Sequence, residues 1–301
     1  NFTEDFANYK SVDEDSDAEE EISKLGATDY LDVYNTLEDV VKAVGVTPTV
    51  SKLALIKKIV NDKKKLRLIL DCLQSGVNGA TIQIERILLP MIADLVNDSL
   101  VLLTERLEND ILEYMVLDYT DAFYKLPLNP DERRYFTAYY KNKFYVWNRV
   151  AQGSRNGPQL FGRLSALVAR LLQGVFSPTS MRLQVYIDDP VAIIRGDRNT
   201  INIIKTKMIL LWRCMGFDLA FHKGQSGTTV HWIGHSITLN VQAQTVTAQI
   251  KPEFLEELLT YTRTMLSRNK MTFKFLRSYA GRVNHVCGLM WAWRLFTDQL
   301  W

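Results

Sequence analysis

The sequence predicts an α+β fold with helices on one face of an antiparallel sheet. Hydrophobic residues make up 47% of the 301-residue chain, which suits one large or two modest domains. Between residues 110 and 250, apolar patterns follow in the order strand, hairpin, helix, hairpin, helix, strand. This order is typical of a sheet that packs against helices.

Local patterns predict the elements of the N-terminal third. A proline after a threonine opens one helix, and alternating leucines after a lysine cluster indicate extended structure. We expect a flexible acidic segment over residues 1–27, an amphipathic helix over 29–45 that ends at Gly45, a helix from Thr49 through Val60, a hairpin-like stretch over Lys65–Asp71 and a long helix over Ile87–Glu108.

The rest of the chain alternates short strands with longer helical stripes. Strands are assigned from apolar alternation and helices from a 3.6-residue period. We expect a buried strand over Tyr114–Asp118, a hairpin over 134–150 that turns at Lys141-Asn142, a helix over Gly157–Gln173, a strand–turn–strand over 183–194, a helix from Asn199 or Thr200 to Met215, short strands over 217–250, and helices over about 252–268 and 273–300.

Charge is distributed unevenly along the chain. Residues 1–40 hold 13 acidic and 2 basic residues, whereas the whole chain has a net charge of +2. The remainder is therefore basic, which fits a polyanionic partner such as nucleic acid. The acidic start is expected to be a solvated, partly disordered lead-in, and the alternative is a nucleic-acid mimic that occupies the basic groove.

The cellular location can be predicted from targeting patterns and from the cysteines. No apolar run is long enough for a membrane span, and the N-terminus lacks the basic-then-apolar pattern of a secretory signal. The three cysteines are widely separated. We therefore expect an intracellular protein, cytoplasmic or nuclear, that is not secreted and does not enter a membrane. His231 and His235 lie four apart in a strand-like stretch, so they are expected to be ordinary surface or packing residues rather than zinc ligands.

Acidic residues end one predicted strand and occupy the turn of a hairpin. Asp118 follows an apolar strand, and Asp188-Asp189 lies between apolar strands. Adjacent carboxylates there repel each other and lose hydration, so a bound cation would stabilise them. Carboxylates suit Mg²⁺, and paired Mg²⁺ ions can activate a hydroxyl and stabilise a leaving pyrophosphate. Paired acids in a turn are also common at surfaces, so this motif alone leaves both interpretations open.

Three motifs in order resemble those of reverse transcriptases. Tyr186-Ile187-Asp188-Asp189 resembles the third polymerase motif of that family. Asp118-Tyr119-Thr120-Asp121-Ala122-Phe123 resembles the first, and Gln152-Gly153-Ser154 resembles the second. The resemblance covers about residues 63 to 250. It implies a right-hand polymerase fold, with an acidic segment over 1–45, fingers and palm over 46–250, and a truncated thumb or start of a connection over 251–301. A retroelement of the DIRS-like type is the kind it resembles.

The resemblance also implies roles for individual residues. Asp118 and Asp188 would be the essential metal ligands, with Asp189 as a supporting acid and the Tyr119 carbonyl as a further ligand. The cofactor would be two Mg²⁺ ions, with Mn²⁺ as a substitute. Nucleotide contacts are expected from Lys65, Arg67, Asp121, Ala122, Phe123, Gln152, Gly153 and Lys223, and a primer grip from Trp232, Ile233 and Gly234.

Some of these roles have ordinary alternatives. Phe123 would be an aromatic gate that excludes a ribose 2′-hydroxyl, and it would serve equally as a core aromatic. Lys223 would neutralise pyrophosphate, but a simple loop lysine is equally compatible. The partners implied are an RNA or DNA template with a DNA primer, and deoxynucleoside triphosphates.

Two rival functions remain from the sequence. One is an inactive retroelement remnant that only binds nucleic acid. The other is an RNA-dependent RNA polymerase, against which Tyr186-Ile187 and Phe123 count.

Overall fold

The computed structural model describes residues 6–60, 63–268 and 270–297. The chain divides into two compact units, Asn1–Ile87 with Asp121–Leu164, and Leu88–Thr120 with Ser165–Trp301. The α-helices are α1 (Lys10–Asp13), α2 (Ser16–Gly26), α3 (Leu37–Val44), α4 (Val77–Ala80), α5 (Ile92–Thr104), α6 (Gly157–Val175), α7 (Arg198–Cys214), α8 (Pro252–Leu266), α9 (Phe273–Val286) and α10 (Arg294–Thr297). The strands are β1 (Leu31–Tyr34), β2 (Val50–Val60), β3 (Lys63–Asp71), β4 (Ile111–Val116), β5 (Thr137–Tyr140), β6 (Lys143–Trp147), β7 (Met181–Tyr186), β8 (Asp189–Gly196), β9 (Gln225–Gly227), β10 (Thr229–Trp232), β11 (His235–Asn240) and β12 (Thr245–Ile250).

The described strands of the first unit form a five-stranded sheet in the order β1-β6-β5-β2-β3. All neighbours are antiparallel except β2 and β5, which run parallel. The β5–β6 hairpin turns at Lys141 and Asn142, whose φ angles of 44° and 59° are both left-handed. Such a turn matches the twist of the strands that it joins. The hairpin predicted over 134–150 is therefore confirmed.

Residues 50–60 form strand β2, so the predicted helix through Val60 is wrong. Ser51, Leu53 and Leu55 are buried, while Ile56 and Lys58 are exposed. Burial thus alternates along the first half of the strand, as it does in a half-buried strand. The proline at position 48 suggested a helix start, but pairing with β3 along its full length sets the conformation.

The acidic start of the chain is folded over residues 10–26, so the expectation of flexibility is wrong there. Its helix α2 buries Ala18, Ile22 and Leu25 in the core of the first unit. Asp17 accepts hydrogen bonds from Lys57 at 2.6 Å and Lys64 at 3.1 Å. These bonds lower the pKa of Asp17, because they favour its charged form. Residues 1–5 lie outside the described residues.

Residues 29–45 contain a strand and a helix where the sequence predicts one helix. Strand β1 pairs with β6, from Leu31 opposite Trp147 to Tyr34 opposite Phe144. Helix α3 then begins after Thr36, whose hydroxyl accepts from the Asp39 amide. It ends at Gly45, which has a left-handed φ of 79°. The predicted helix end at this glycine is therefore confirmed.

In the described part of the second unit, β7-β8-β4-β9 form an antiparallel sheet, and β10-β11-β12 form another. Tyr114 of β4 donates a hydrogen bond to Ser99 of α5 at 2.8 Å. Its neighbour Glu113 accepts one from Lys205 of α7 at 2.5 Å. Adjacent strand residues point to opposite faces, so helices cover both faces rather than the one face expected.

The longer helices follow the predicted stripes, with shifted ends. Helix α5 is shorter than predicted, because it begins after Pro90 and the Asp94 carboxylate accepts from the Met91 amide. Helix α7 begins earlier than predicted, because Asp197 caps the amide of Thr200. The helix expected over 273–300 stops at Val286, and residues 298–300 lie outside the described part. No described helix has both the length and the apolar character needed to cross a membrane.

Candidate active site

Two carboxylates lie at the same end of paired strands in the second unit. Asp118 follows β4, and Asp189 is the first residue of β8. These strands are antiparallel, and the Leu117 amide donates to the Pro190 carbonyl at 3.2 Å. Continuing this register places Asp118 opposite Asp189. The predicted strand that ends in an acid is therefore found beside the predicted acidic hairpin.

The tip of the β7–β8 hairpin has an unusual backbone. Tyr186 pairs with Asp189, which leaves Ile187 and Asp188 in the turn. Ile187 has a left-handed φ of 55°. A β-branched residue rarely adopts this conformation, which costs about 1–3 kcal/mol. The strained residue directly precedes Asp188 in the turn.

A lysine is paired with the first carboxylate. The Lys223 ammonium donates to Oδ2 of Asp118. The Ala220 amide also donates to the Asp118 carbonyl at 2.9 Å, which holds the turn Phe221–Lys223 beside the end of β4. The Asp118 side chain is 24% exposed and that of Lys223 is 41% exposed, so the ion pair is open to solvent. Lys223 is thus brought to the carboxylates.

The fit to Mg²⁺ depends on the donor set. Within the described residues, no three His, Cys, Asp or Glu side chains lie close enough to hold one ion. The structure therefore does not gather Asp118, Asp188 and Asp189 into a ready three-ligand centre. Their oxygens are still of the kind that Mg²⁺ prefers, and the Lys223 ammonium already stands as a cation at Asp118. The donor chemistry fits a divalent ion.

Tyr119 follows the first carboxylate and has a buried ring. Burial, with a smaller contribution from the negative charge of Asp188, raises the pKa of its hydroxyl to about 12. The ring packs against Phe217, with centroids 4.9 Å apart. The side chain is therefore part of the core, and the carbonyl is the group left for the predicted ligand role.

The predicted primer grip forms the β10–β11 hairpin. Trp232 is 2% exposed, and its indole N–H donates to the Asp189 carbonyl at 2.9 Å. Ile233 and Gly234 form the turn, with φ angles of 38° and 81°. Trp232 thus anchors the acidic hairpin from the core, while Ile233 and Gly234 lie at the tip.

Two histidines meet behind this turn. His235 of β11 and His285 of α9 have ring centroids 4.6 Å apart. Burial lowers the pKa of both imidazoles, because it disfavours the charged form. This pair could not be predicted from a local pattern, since 50 residues separate its members.

We expect the histidine pair to make the protein less stable in acid. The folded state keeps both rings neutral, whereas the unfolded chain takes up protons near the usual pKa of 6.5. The contribution is therefore complete above that pH and is lost as pH falls below it. The melting temperature should drop between about pH 7 and pH 5, and His285→Gln should reduce this drop.

The exposed His231 provides a matched control. His231→Gln should leave the pH dependence of melting unchanged, because this residue lies at the surface. An unaltered acid-induced drop in the His285→Gln protein would contradict the assignment.

In the first unit, Lys65 and Arg67 lie on one face of β3 and are exposed. Lys58 of β2 lies directly opposite Lys65, so it shares this face. Lys58 was not predicted to share this face, because residues 49–60 were expected to be helical. The alternation of Leu53 and Leu55 was the signal for a strand, which would have placed Lys58 outward.

Gln152 and Gly153 are hydrogen-bonded to the end of strand β3 and the segment that follows it. The Leu70 amide donates to the Gln152 carbonyl at 2.8 Å, and the Asn78 side chain donates to the Gly153 carbonyl at 2.9 Å. Gly153 has a φ of 114°, and a Cβ there would lie 2.0 Å from the Leu70 oxygen. The lack of a side chain at Gly153 thus allows a close approach to the β3 backbone.

Asp121, Ala122 and Phe123 form the loop after the first carboxylate motif. Asp121 is left-handed, with a φ of 52°, and precedes the 3-10 turn Ala122–Lys125. Ala122 is buried and Phe123 is half-buried. The Phe123 ring meets Phe161 of α6 edge to face, with centroids 6.0 Å apart. The Phe123 ring therefore packs against helix α6.

Comparisons with known proteins agree with these motifs. A family model described as reverse transcriptase (RNA-dependent DNA polymerase) matches residues 56–237. A foamy viral protease-reverse transcriptase, solved in complex with double-stranded DNA, is similar over 93% of this chain and 41% of that one, at 18% identity and a TM-score of 0.59. The same type of protein in complex with an RNA/DNA hybrid is similar over 93% of this chain and 31% of that one, at 18% identity and a TM-score of 0.56. Among curated proteins, no significant match was found.

These likenesses differ in what they establish. At 18% identity, the foamy viral structures show the fold, which is that of the right-hand polymerases. The chain spans less than half the length of either foamy viral protein. The family model, however, matches more than half of the chain and includes all three motifs. The chain therefore belongs to the reverse transcriptase (RNA-dependent DNA polymerase) family.

Proposed function

We propose that this chain is the polymerase part of a reverse transcriptase. It extends the 3′-hydroxyl of a primer on an RNA or DNA template, with deoxynucleoside triphosphates as substrates. The observation that carries the proposal is the placement of Asp118 opposite Asp189 at the end of paired strands, with Lys223 bound to Asp118. We assign residues 46–250 to fingers and palm, and 251–301 to the thumb and the start of a connection.

Two Mg²⁺ ions fit the proposed reaction. Asp118, Asp188, Asp189 and the Tyr119 carbonyl would hold them, and they would activate the primer hydroxyl and stabilise the leaving pyrophosphate. The protein's own part is mainly positioning and electrostatics, as in other phosphoryl transfers. Lys223 carries an ammonium that is already beside these acids, so it can donate a proton to pyrophosphate or neutralise its charge.

Nucleotide binding is assigned to groups of the first unit. Lys65 and Arg67 present positive charge on one exposed face of β3, and Lys58 extends that face across to β2. Such a cluster suits a triphosphate, because charge-assisted hydrogen bonds to phosphate are strong. We assign Gln152 and Gly153 to contacts with the nucleotide–template pair, because they belong to the second motif.

Substrate choice and primer placement complete the assignment. Phe123 excludes the 2′-hydroxyl of a ribonucleotide by the bulk of its ring. Ile233 and Gly234, at the tip of their hairpin, are assigned to the primer end. Trp232 supports that tip from the core through its bond to Asp189.

One observation favours a second candidate, an inactive nucleic-acid-binding remnant. In the described part of the chain, no three acidic, histidine or cysteine side chains are gathered as metal ligands. A remnant would bind template through its basic residues without catalysis. The two candidates differ in whether any primer is extended.

Primer extension tests the proposal directly. The purified chain is given an RNA template, a DNA primer and Mg²⁺, with either deoxy- or ribonucleotides. We expect extension with deoxynucleotides and discrimination against ribonucleotides. Phe123→Ala should lower that discrimination by roughly tenfold or more, because the steric clash with the 2′-hydroxyl is removed.

A second aromatic residue serves as the control for Phe123. Phe161→Leu alters the packing beneath Phe123 but leaves the Phe123 ring in place. Discrimination against ribonucleotides should therefore remain close to wild type. Binding of template without any extension would leave only the remnant. Preference of the wild type for ribonucleotides would refute the gate.

A further inference from the structure

The segment before the family match contains a tyrosine that contacts the nucleotide loop. Tyr30 precedes β1 and lies outside residues 56–237, which the family model covers. Its ring stacks on Tyr124, with centroids 4.7 Å apart and planes inclined by 15°. Its hydroxyl also donates to Oδ2 of Asp121 at 3.5 Å. Tyr30 thus contacts both the start and the middle of the loop that holds Phe123.

The loop has a backbone that needs such support. Asp121 is left-handed, a conformation that is uncommon outside glycine. The Tyr124 amide donates to the Asp121 carbonyl at 3.0 Å and closes the turn. A residue that packs against the buried Tyr124 ring can therefore hold this turn in place. Its own hydroxyl has a raised pKa because of burial, so it stays neutral.

Tyr30 itself is firmly held. The Asn148 amide donates to the Tyr30 carbonyl at 2.7 Å, and the Tyr30 amide donates to the Thr28 hydroxyl at 3.1 Å. Arg149 forms an ion pair with Asp29 at 2.8 Å. These bonds attach the backbone at Tyr30 to residues 148 and 149, which follow β6 and precede the second motif. They hold the base of the Tyr30 side chain beside the loop.

Residues 148–150 also hold the far end of the loop. The Val150 amide donates to the Leu126 carbonyl at 2.9 Å, and the Leu128 amide donates to the Asn148 carbonyl at 2.9 Å. The segment 148–150 therefore binds Tyr30 on one side and the loop on the other. The backbone of residues 148–150 therefore holds the chain on both sides of the Tyr30–Tyr124 stack.

We propose that Tyr30 is a positioning residue for nucleotide binding, acting through Tyr124 and Asp121. Its ring fixes the turn that presents Phe123 and the Asp121–Ala122 backbone to the incoming nucleotide. The acidic N-terminal segment thereby contributes to substrate affinity. This inference rests on the proposed polymerase function.

Steady-state kinetics provide the first test. Tyr30→Ala should raise KM for deoxynucleotides about tenfold, with kcat changed by less than about twofold, because the lost stack affects binding rather than the chemical step. Tyr30→Phe keeps the stacked ring and should stay within about twofold of wild type. Tyr34→Ala, in the strand β1 that follows Tyr30, should leave KM unchanged.

Hydrogen exchange provides a test that needs no activity. In Tyr30→Ala, the amides of Tyr124 and Leu126 should exchange faster than in wild type, while amides of α7 should be unaffected. Unchanged KM and unchanged exchange in Tyr30→Ala would overturn the inference. A wild type that extends no primer would refute the proposed function, and the exchange result would still decide the role of Tyr30.

Discussion

Replacing Asp188 by asparagine is expected to reduce primer extension roughly a thousandfold or more, because a neutral amide cannot balance a divalent ion or the charge of the reacting phosphate. Asparagine has nearly the same size, so the hairpin tip should keep its shape. Template binding depends mainly on phosphate contacts from basic residues, and it should stay close to wild type. Extension and equilibrium template binding are measured on the same preparation.

Asp197 offers a matched control for this substitution. It follows β8 at the opposite end from Asp189 and caps helix α7 by accepting from the Thr200 amide. Asparagine is an equally good N-cap, so Asp197→Asn should keep both stability and extension. Wild-type extension by Asp188→Asn would contradict the metal role, and an equal loss in Asp197→Asn would point to a general effect of charge.

Gly153→Ala should destabilise the protein by about 3 kcal/mol or more, through backbone strain and overlap with a neighbouring strand. The added Cβ would lie 2.0 Å from the Leu70 oxygen, and the residue has a φ of 114°. Either the bond from Leu70 to Gln152 or the strand itself must shift. Urea unfolding should therefore show a lower midpoint.

Gly79 is the control in the same unit. A Cβ there would meet nothing within 4 Å, and its backbone is not left-handed. Gly79→Ala should change the free energy of unfolding by less than about 1 kcal/mol. Equal stability of Gly153→Ala and wild type would show that the backbone beside Leu70 can relax without cost.

The carboxylate strands could be predicted because their signal is local. A run of buried apolar residues that ends in Asp118 indicates a strand edge without knowledge of its neighbours. The Lys141-Asn142 turn is similar, because its residues suit the left-handed backbone that the hairpin needs. In both cases the residues that form the pattern also determine the local conformation, so the prediction agrees with the structure.

The errors concern segments whose conformation depends on distant partners. Strand β2 is set by pairing with β3 and β5, and a local capping signal outweighed its alternation. The acids of α2 suggested a solvated segment, but Asp17 is paired with Lys57 and Lys64, at least 40 residues away. Burial of Trp232 likewise results from packing between sheet and helix, which motif resemblance does not reveal.

The way α2 and β1 join the first unit has a practical consequence. Trimming the chain to residues 56–237 would begin inside β2 and would remove the three apolar side chains that α2 contributes to the core. It would also strip the edge of the sheet that β1 protects and leave an open strand prone to aggregate. Recombinant fragments that start at Phe6 or earlier should remain dispersed, whereas a fragment cut at the family boundary should precipitate.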